Sequence, residues 1–236
     1  MHLILVPGLW LDGSSWDDVA PALLTAGHTV HAMTLPGMSS RSDDRASISL
    51  ADHVDAVVQA IDAIGPSEGP VVLIGHSGGG AIAYAACDAR VDRVARVIYV
   101  DSLPLGDGGV INDSLTQERG EIPFPDWSAF DPEDLIDLDE DLRLMLRARA
   151  IPAPLHVARD PQRLFNELRY EVPASVIACE FTSDMARTWI ANGEPYLAEL
   201  ARIRQVDYID LPTGHWPQFT RPRDLGDTIL AIIGPA

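Results

Sequence analysis

Short runs of consecutive apolar residues recur along this chain, and stretches with apolar residues three and four apart lie between them. Leu3–Val6, Pro70–Ile74, Val94–Val100, Ala174–Cys179 and Gln205–Leu211 read as strands, the first apolar throughout, as expected where both faces of a sheet are covered. His28–Leu35 alternates and reads as another strand. Helices are predicted over Trp16–Ala26, capped by Ser14 or Ser15, and over the segment where Leu50, Val54, Val57, Val58, Ile61 and Ile64 keep helical spacing. Ser49 and Asp52 form a capping pair before the latter, and Gly65-Pro66 stops it. Met185–Ala191, Pro195–Ile203 and Pro222–Ile233, the last capped by Thr220, complete the helices of the second half. Strands alternating with helices predict an α/β fold with a doubly wound, mostly parallel sheet, because parallel neighbours need crossover connections. Ligands of such sheets bind beyond the carboxyl ends of the strands, where Pro7-Gly8-Leu9, Ser77 and Asp101 fall.

The rhythm breaks after Asp101. From Leu103 to Val172 prolines recur, acidic residues cluster between Asp137 and Asp141, and no convincing core strand is present. A segment of this length between two sheet strands reads as a cap or lid inserted over the site. The domain division is therefore a core of residues 1–102 and 173–236 and a cap of residues 103–172. Phe124, Trp127 and Phe130 could line a pocket from above or pack inside the cap.

The stretch Gly75-His76-Ser77-Gly78-Gly79 lies between Val71-Val72-Leu73-Ile74 and the alanine-rich run Ala81–Ala86. In a strand, tight turn, helix setting, G-x-S-x-G thrusts the serine clear of the sheet. Ser77 is then a candidate nucleophile, and the Gly78 N–H at a helix N-terminus is half of an anion site. Leu9, in the loop after the first strand, is the candidate second donor, with Trp10 beside it. A serine hydroxyl needs a base, and that base an orienting acid. His215, in the loop Pro212-Thr213-Gly214-His215-Trp216-Pro217, fits the base better than the other histidines. For the acid, Asp184 ranks first because it gives the order Ser, Asp, His; Asp101 is next, and Glu180 also lies near a strand end. Trp127 and Trp216 join Leu9, Gly78 and Trp10 as candidate binding residues.

At 236 residues and 47% hydrophobic content the chain can bury one full core. Its formal charge of −18 argues against nucleic acid and anionic membranes, which are bound by clustered basic residues. All basic residues are arginine, so lysine Schiff-base chemistry is excluded. No metal-ligand spacing or dinucleotide fingerprint appears, so neither a metal nor a cofactor is expected. Cys87 and Cys179 are isolated, the N-terminus lacks a basic leader, and no run reaches membrane-spanning length, all pointing to a cytoplasmic protein acting on a small molecule. A homodimer is compatible with all of this.

With these residues assembled, the chain resembles the α/β-hydrolase superfamily and, within it, the small esterase and hydroxynitrile-lyase-like branch. The likeness rests on Leu5–Trp10, Gly75–Gly79, Val100-Asp101-Ser102, Arg149–Pro152 and Gly214–Pro217. It implies acyl transfer by Ser77 on an ester, thioester or lactone. Two alternatives stay open on that scaffold: cofactor-free dioxygenase or C–C lyase chemistry with His215 as base, and a ligand sensor that retains the triad. The departures bear on the reaction. Pro7-Gly8 replaces the usual His-Gly, and Gly8 and Trp216 stand where plant hydroxynitrile lyases have threonine and lysine, which speaks against that lyase mechanism. Relatives that are dehalogenases or epoxide hydrolases carry aspartate where Ser77 stands.

Overall fold

The computed structural model describes residues 1–234. Its strands are β1 (His2–Val6), β2 (Thr29–Ala32), β3 (Val71–His76), β4 (Val94–Val100), the two-residue β5 (Glu121–Ile122) and β6 (Ala153–Pro154), β7 (Ala174–Ala178) and β8 (Val206–Asp210). Six of them form one sheet in the order β2-β1-β3-β4-β7-β8, with each neighbouring pair parallel. Side chains alternate across the sheet, so each apolar run feeds two cores. Ile4, Val6, Leu73, Tyr99 and Val176 pack toward α2 (Leu50–Ala63) and α3 (Gly78–Ala89). Leu3, Leu5, Ile74, Val100 and Ile177 share the opposite layer with Trp16, Leu23 and the helix Pro222–Ile233. Burial on both faces is why the central runs are unbroken.

The predicted helix over Trp16–Ala26 is two pieces. The Asp12 carboxylate accepts the Ser14 N–H at 2.9 Å and starts a 3-10 turn, Gly13–Trp16, and α1 follows over Ala20–Thr25. Pro21 sits in the first turn of α1, where its missing N–H costs nothing. The cap is thus Asp12 rather than Ser14 or Ser15. The capping pair before α2 forms as expected, with Ser49 N donating to Asp52 at 2.8 Å and Asp52 N to Ser49 Oγ at 3.2 Å. β2 is shorter than its alternating stretch because it has β1 partners only from Thr29 to Ala32.

Between β4 and β7 the chain forms the antiparallel β5/β6 pair, α4 (Glu140–Arg149) and α5 (Leu155–Arg159), and contributes no strand to the main sheet. After β7 come α6 (Ser183–Ala191) and two 3-10 turns, Pro195–Leu197 and Leu200–Arg202, in place of one continuous helix. α7 (Pro217–Thr220) and α8 (Pro222–Ile233) end the fold. Thr220 does not cap α8; its hydroxyl lies 2.8 Å from that of Thr213, and Pro222 opens the helix without a side-chain cap. Among the described residues no helix is long and apolar enough to cross a membrane.

Candidate active site

β3 delivers Ser77 and α3 begins at the next residue. Ser77 has φ 52° and ψ −129°, a left-handed conformation that an L-residue holds only when its surroundings enforce it. The neighbouring glycines allow this crowding. A Cβ on Gly79 would sit 2.5 Å from the carbonyl oxygens of Val6 and Pro7, and one on Gly75 would meet Gly79 O at 2.5 Å. The turn is braced by Ser102, whose hydroxyl donates to Ser77 O at 2.6 Å. Leu9 and Gly78 are neighbours here, since a Cβ on Gly78 would lie 3.4 Å from Leu9 Cγ. Both line the cavity that contains Ser77.

His215 comes from the loop after β8. Its Nε2 lies 2.9 Å from Ser77 Oγ, and its Nδ1 faces Asp101 Oδ2 at 2.7 Å and Glu180 Oε2 at 3.1 Å. Asp101, just past β4, is fully shielded, and its second oxygen accepts the N–H groups of Cys179 at 3.0 Å and Glu180 at 3.1 Å. Those two amides fix the carboxylate, and the carboxylate fixes the ring. Burial works against the charged imidazole, but the hydrogen bonds and charges of Asp101 and Glu180 outweigh it and hold His215 above its ordinary value.

The sequence order Ser, Asp, His favours Asp184 as the orienting acid, and the structure places that residue elsewhere. Asp184 lies in the first turn of α6, past the connection that follows β7, and the hydrogen bonds to His215 Nδ1 come from Asp101 and Glu180. β4 and β7 are adjacent in the sheet, so the residues ending both strands converge on one loop.

The imidazole is also held through its backbone. The buried His76 lies between Gln218 Nε2, which donates to its Nδ1 at 3.1 Å, and the His215 carbonyl, which accepts from its Nε2 at 2.6 Å. Burial drives His76 down to about 3, so it stays neutral and can keep one nitrogen as donor and one as acceptor. From the other side, the segment between β4 and β7 clasps the same loop. His215 N–H donates to Asp134 O at 2.8 Å and Gly214 N–H to Ile136 O at 3.1 Å. A Cβ at Gly214 would stand 2.7 Å from Ile136 O, so only glycine admits this approach. None of these contacts had a sequence signal beyond the Gly-His pair itself.

Around Ser77 and His215 lies a cavity of about 450 Å³. Leu9, Trp10, Leu103, Ile111, Leu115 and Phe130 supply apolar wall, and Asp134 and Glu180 lie on the His215 side. Burial, followed by the hydrogen bond and charge of Glu180, raises the Asp134 carboxyl to about 6. Trp10 lines this cavity, anchored by its indole N–H to Ile122 O at 3.0 Å. Trp127 and Trp216 do not line it. They stack edge to face at 5.9 Å in an aromatic cluster with Phe124 and Phe130, where Trp216 is buried. Aromatic side chains from an irregular segment gather with one another first, and here Phe130 is the cluster member facing the cavity.

Asp101, Glu180 and His215 also offer ligand atoms within 4.8 Å of one another. Both carboxylates are aimed at Nδ1 with hydrogen-bond spacing, so a cation there would have to replace the proton they share. Cys87 and Cys179 are free and buried, and burial pushes the Cys87 thiol up to about 12.

Known proteins share this arrangement of chain. A probable hydrolase, R7, from a Phoma species is 26% identical over 98% of this chain and 98% of its own length. Methylesterase 8 of Arabidopsis thaliana is 26% identical over 98% of this chain and 89% of its own. An extracellular alpha/beta-hydrolase from a Paenibacillus species superposes with a TM-score of 0.77 at 18% identity, covering 98% of both chains, a likeness of fold. The model of the alpha/beta hydrolase family matches residues 3–228, and the chain belongs to that family.

Proposed function

We propose that this protein is a serine hydrolase cleaving a small-molecule carboxylic ester, thioester or lactone through an acyl-enzyme on Ser77. The observation that carries the reading is the hydrogen-bonded series Ser77 Oγ, His215 imidazole, Asp101 carboxylate, opening on an apolar cavity at the start of α3. Relatives named hydrolase and methylesterase support it over nearly the whole chain.

In this reading Ser77 Oγ attacks the substrate carbonyl while its proton passes to His215 Nε2. The N–H groups of Gly78 and Leu9 hold the oxyanion, favoured by the positive end of α3. The intermediate collapses as the C–O bond (C–S in a thioester) breaks, and His215 returns the proton to the leaving atom. Water, deprotonated by the same nitrogen, then attacks the acyl-enzyme, giving the carboxylic acid and restoring Ser77. Asp101 keeps the imidazole in the right tautomer and stabilises its charged form. Asp101 thus takes the role that sequence order favoured for Asp184. The segment between β4 and β7 acts as the cap, closing the apolar wall over the acyl group. The two buried, unpaired thiols fit a reducing compartment such as the cytoplasm.

The test is intact mass after incubation with a fluorophosphonate. The expected result is one adduct on the parent protein and none on folded Ser77→Ala or His215→Ala. An unlabelled, folded parent would overturn the reading, and turnover retained in Ser77→Ala would turn it toward chemistry in which His215 acts on the substrate directly.

A further inference from the structure

On the His215 side, the catalytic cavity adjoins a second one of about 390 Å³, and the two share Asp101, Ser102, Leu103, Asp134 and Glu180 as walls. The second cavity combines two kinds of side chain. The segment between β4 and β7 contributes Asp131, Glu133 and Asp134 to the walls, with Glu180 among the other lining residues. The connection after β7, α6 and the turn after it bring an aromatic series, with Phe181 and Trp189 centroids 5.7 Å apart and Trp189 and Tyr196 5.9 Å apart. No arginine lines either cavity, and the ion partner of Glu180 is His215. Tyr196 is 54% exposed, so the aromatic wall is open to a ligand.

We infer that this second cavity is a subsite for an ammonium cation, and that the enzyme prefers esters whose alcohol part carries one. The inference rests on the acyl-transfer reading for its direction. His215 Nε2 must hand its proton to the leaving oxygen, so the alcohol part lies against the wall that the two cavities share. The acidic side chains of Asp131, Glu133, Asp134 and Glu180, with no arginine on the same walls, repel an anion there and attract a cation. The aromatic series selects among cations. A quaternary ammonium is weakly hydrated, has no N–H to donate, and is held by ring faces, whereas a metal ion gains nothing from Phe181, Trp189 or Tyr196. Burial first, and then the hydrogen bond and charge of Glu180, raise the Asp134 carboxyl, and a cation bound beside it would favour its ionised form.

Two readouts separate this inference from the reaction it rests on. The first is kcat/KM for a choline ester against the uncharged 3,3-dimethylbutyl ester of the same acid. A preference of about ten-fold for the choline ester is expected, shrinking at high ionic strength and in Glu133→Gln and Tyr196→Ala. Hydrolysis of the neutral ester with no preference would overturn the subsite and leave the hydrolase standing. The second uses no turnover: tryptophan fluorescence of Ser77→Ala titrated with phenyltrimethylammonium, with tert-butylbenzene as the neutral control. Saturable quenching by the cation alone, weakened by Glu133→Gln or Tyr196→Ala, supports the subsite even if no ester is cleaved, and a response equal to that of the control overturns it.

Discussion

Two carboxylates meet one imidazole nitrogen in this protein, and they are not equivalent. Asp101 is fully shielded and locked by two backbone amides, whereas Glu180 keeps about a third of its side chain in solvent. Asp101 therefore sets the ring, and Glu180 mainly adds negative charge beside it. In the proposed mechanism His215 works only when unprotonated, and its raised value places the rise of kcat/KM at higher pH than an ordinary imidazole would. Glu180→Gln removes one of the two charges that favour the protonated ring, so the pH–rate limb should move toward acid while the maximal rate falls little. A limb unmoved by that substitution would show that Glu180 does not act on the imidazole. Ser77 and His215 were legible from the sequence because a strained turn and a Gly-His loop are local features. The choice among Asp101, Glu180 and Asp184 was not, because it depends on which strand ends lie side by side.

At the scale of elements, the segment between β4 and β7 is tied to α3 and to the turns after α6 by a buried charge network. Arg169 Nε meets Glu199 at 2.9 Å and its Nη1 meets Asp88 of α3 at 3.2 Å, while Tyr84 donates to Glu199 at 2.8 Å. Asp88 also accepts the N–H groups of Phe165 at 2.8 Å and Asn166 at 2.9 Å, so one helix residue holds the end of the insertion. Arg169→Met would leave two buried carboxylates without their counter-charge, and a loss of about 3–5 kcal/mol in urea unfolding is expected. A change within experimental error would mean the network relaxes into solvent. The central strands and α2 were readable from the sequence, since continuous apolar runs and a capping pair report on local geometry and burial. The first helix and the stretch after α6 were not, because Pro21 and short 3-10 turns interrupt spacing that reads as one helix.

Across the whole molecule, 35 acidic side chains face 17 basic ones, all of them arginine. Net charge of this size destabilises the compact state through self-repulsion, which salt screens. The melting temperature should therefore rise as sodium chloride is increased from low to physiological strength, and a flat response would show that the acids are already balanced by local pairs. That arginines are missing from both cavities gives the surplus charge a place to act, on the side of the site where a leaving group would depart.

The parallel sheet, the serine turn and the histidine loop are written into the amino-acid order. Each is written in neighbouring residues: buried runs, glycines that a crowded turn demands, and a loop following a strand. Tertiary structure alone decided which acid faces His215, which aromatics face the cavity and how His76, Gln218 and Asp134 hold the loop. These are contacts between residues up to 142 positions apart, as from His76 to Gln218. They arise from strand order in the sheet and from the path of an irregular insertion, and neither leaves a periodic trace along the chain.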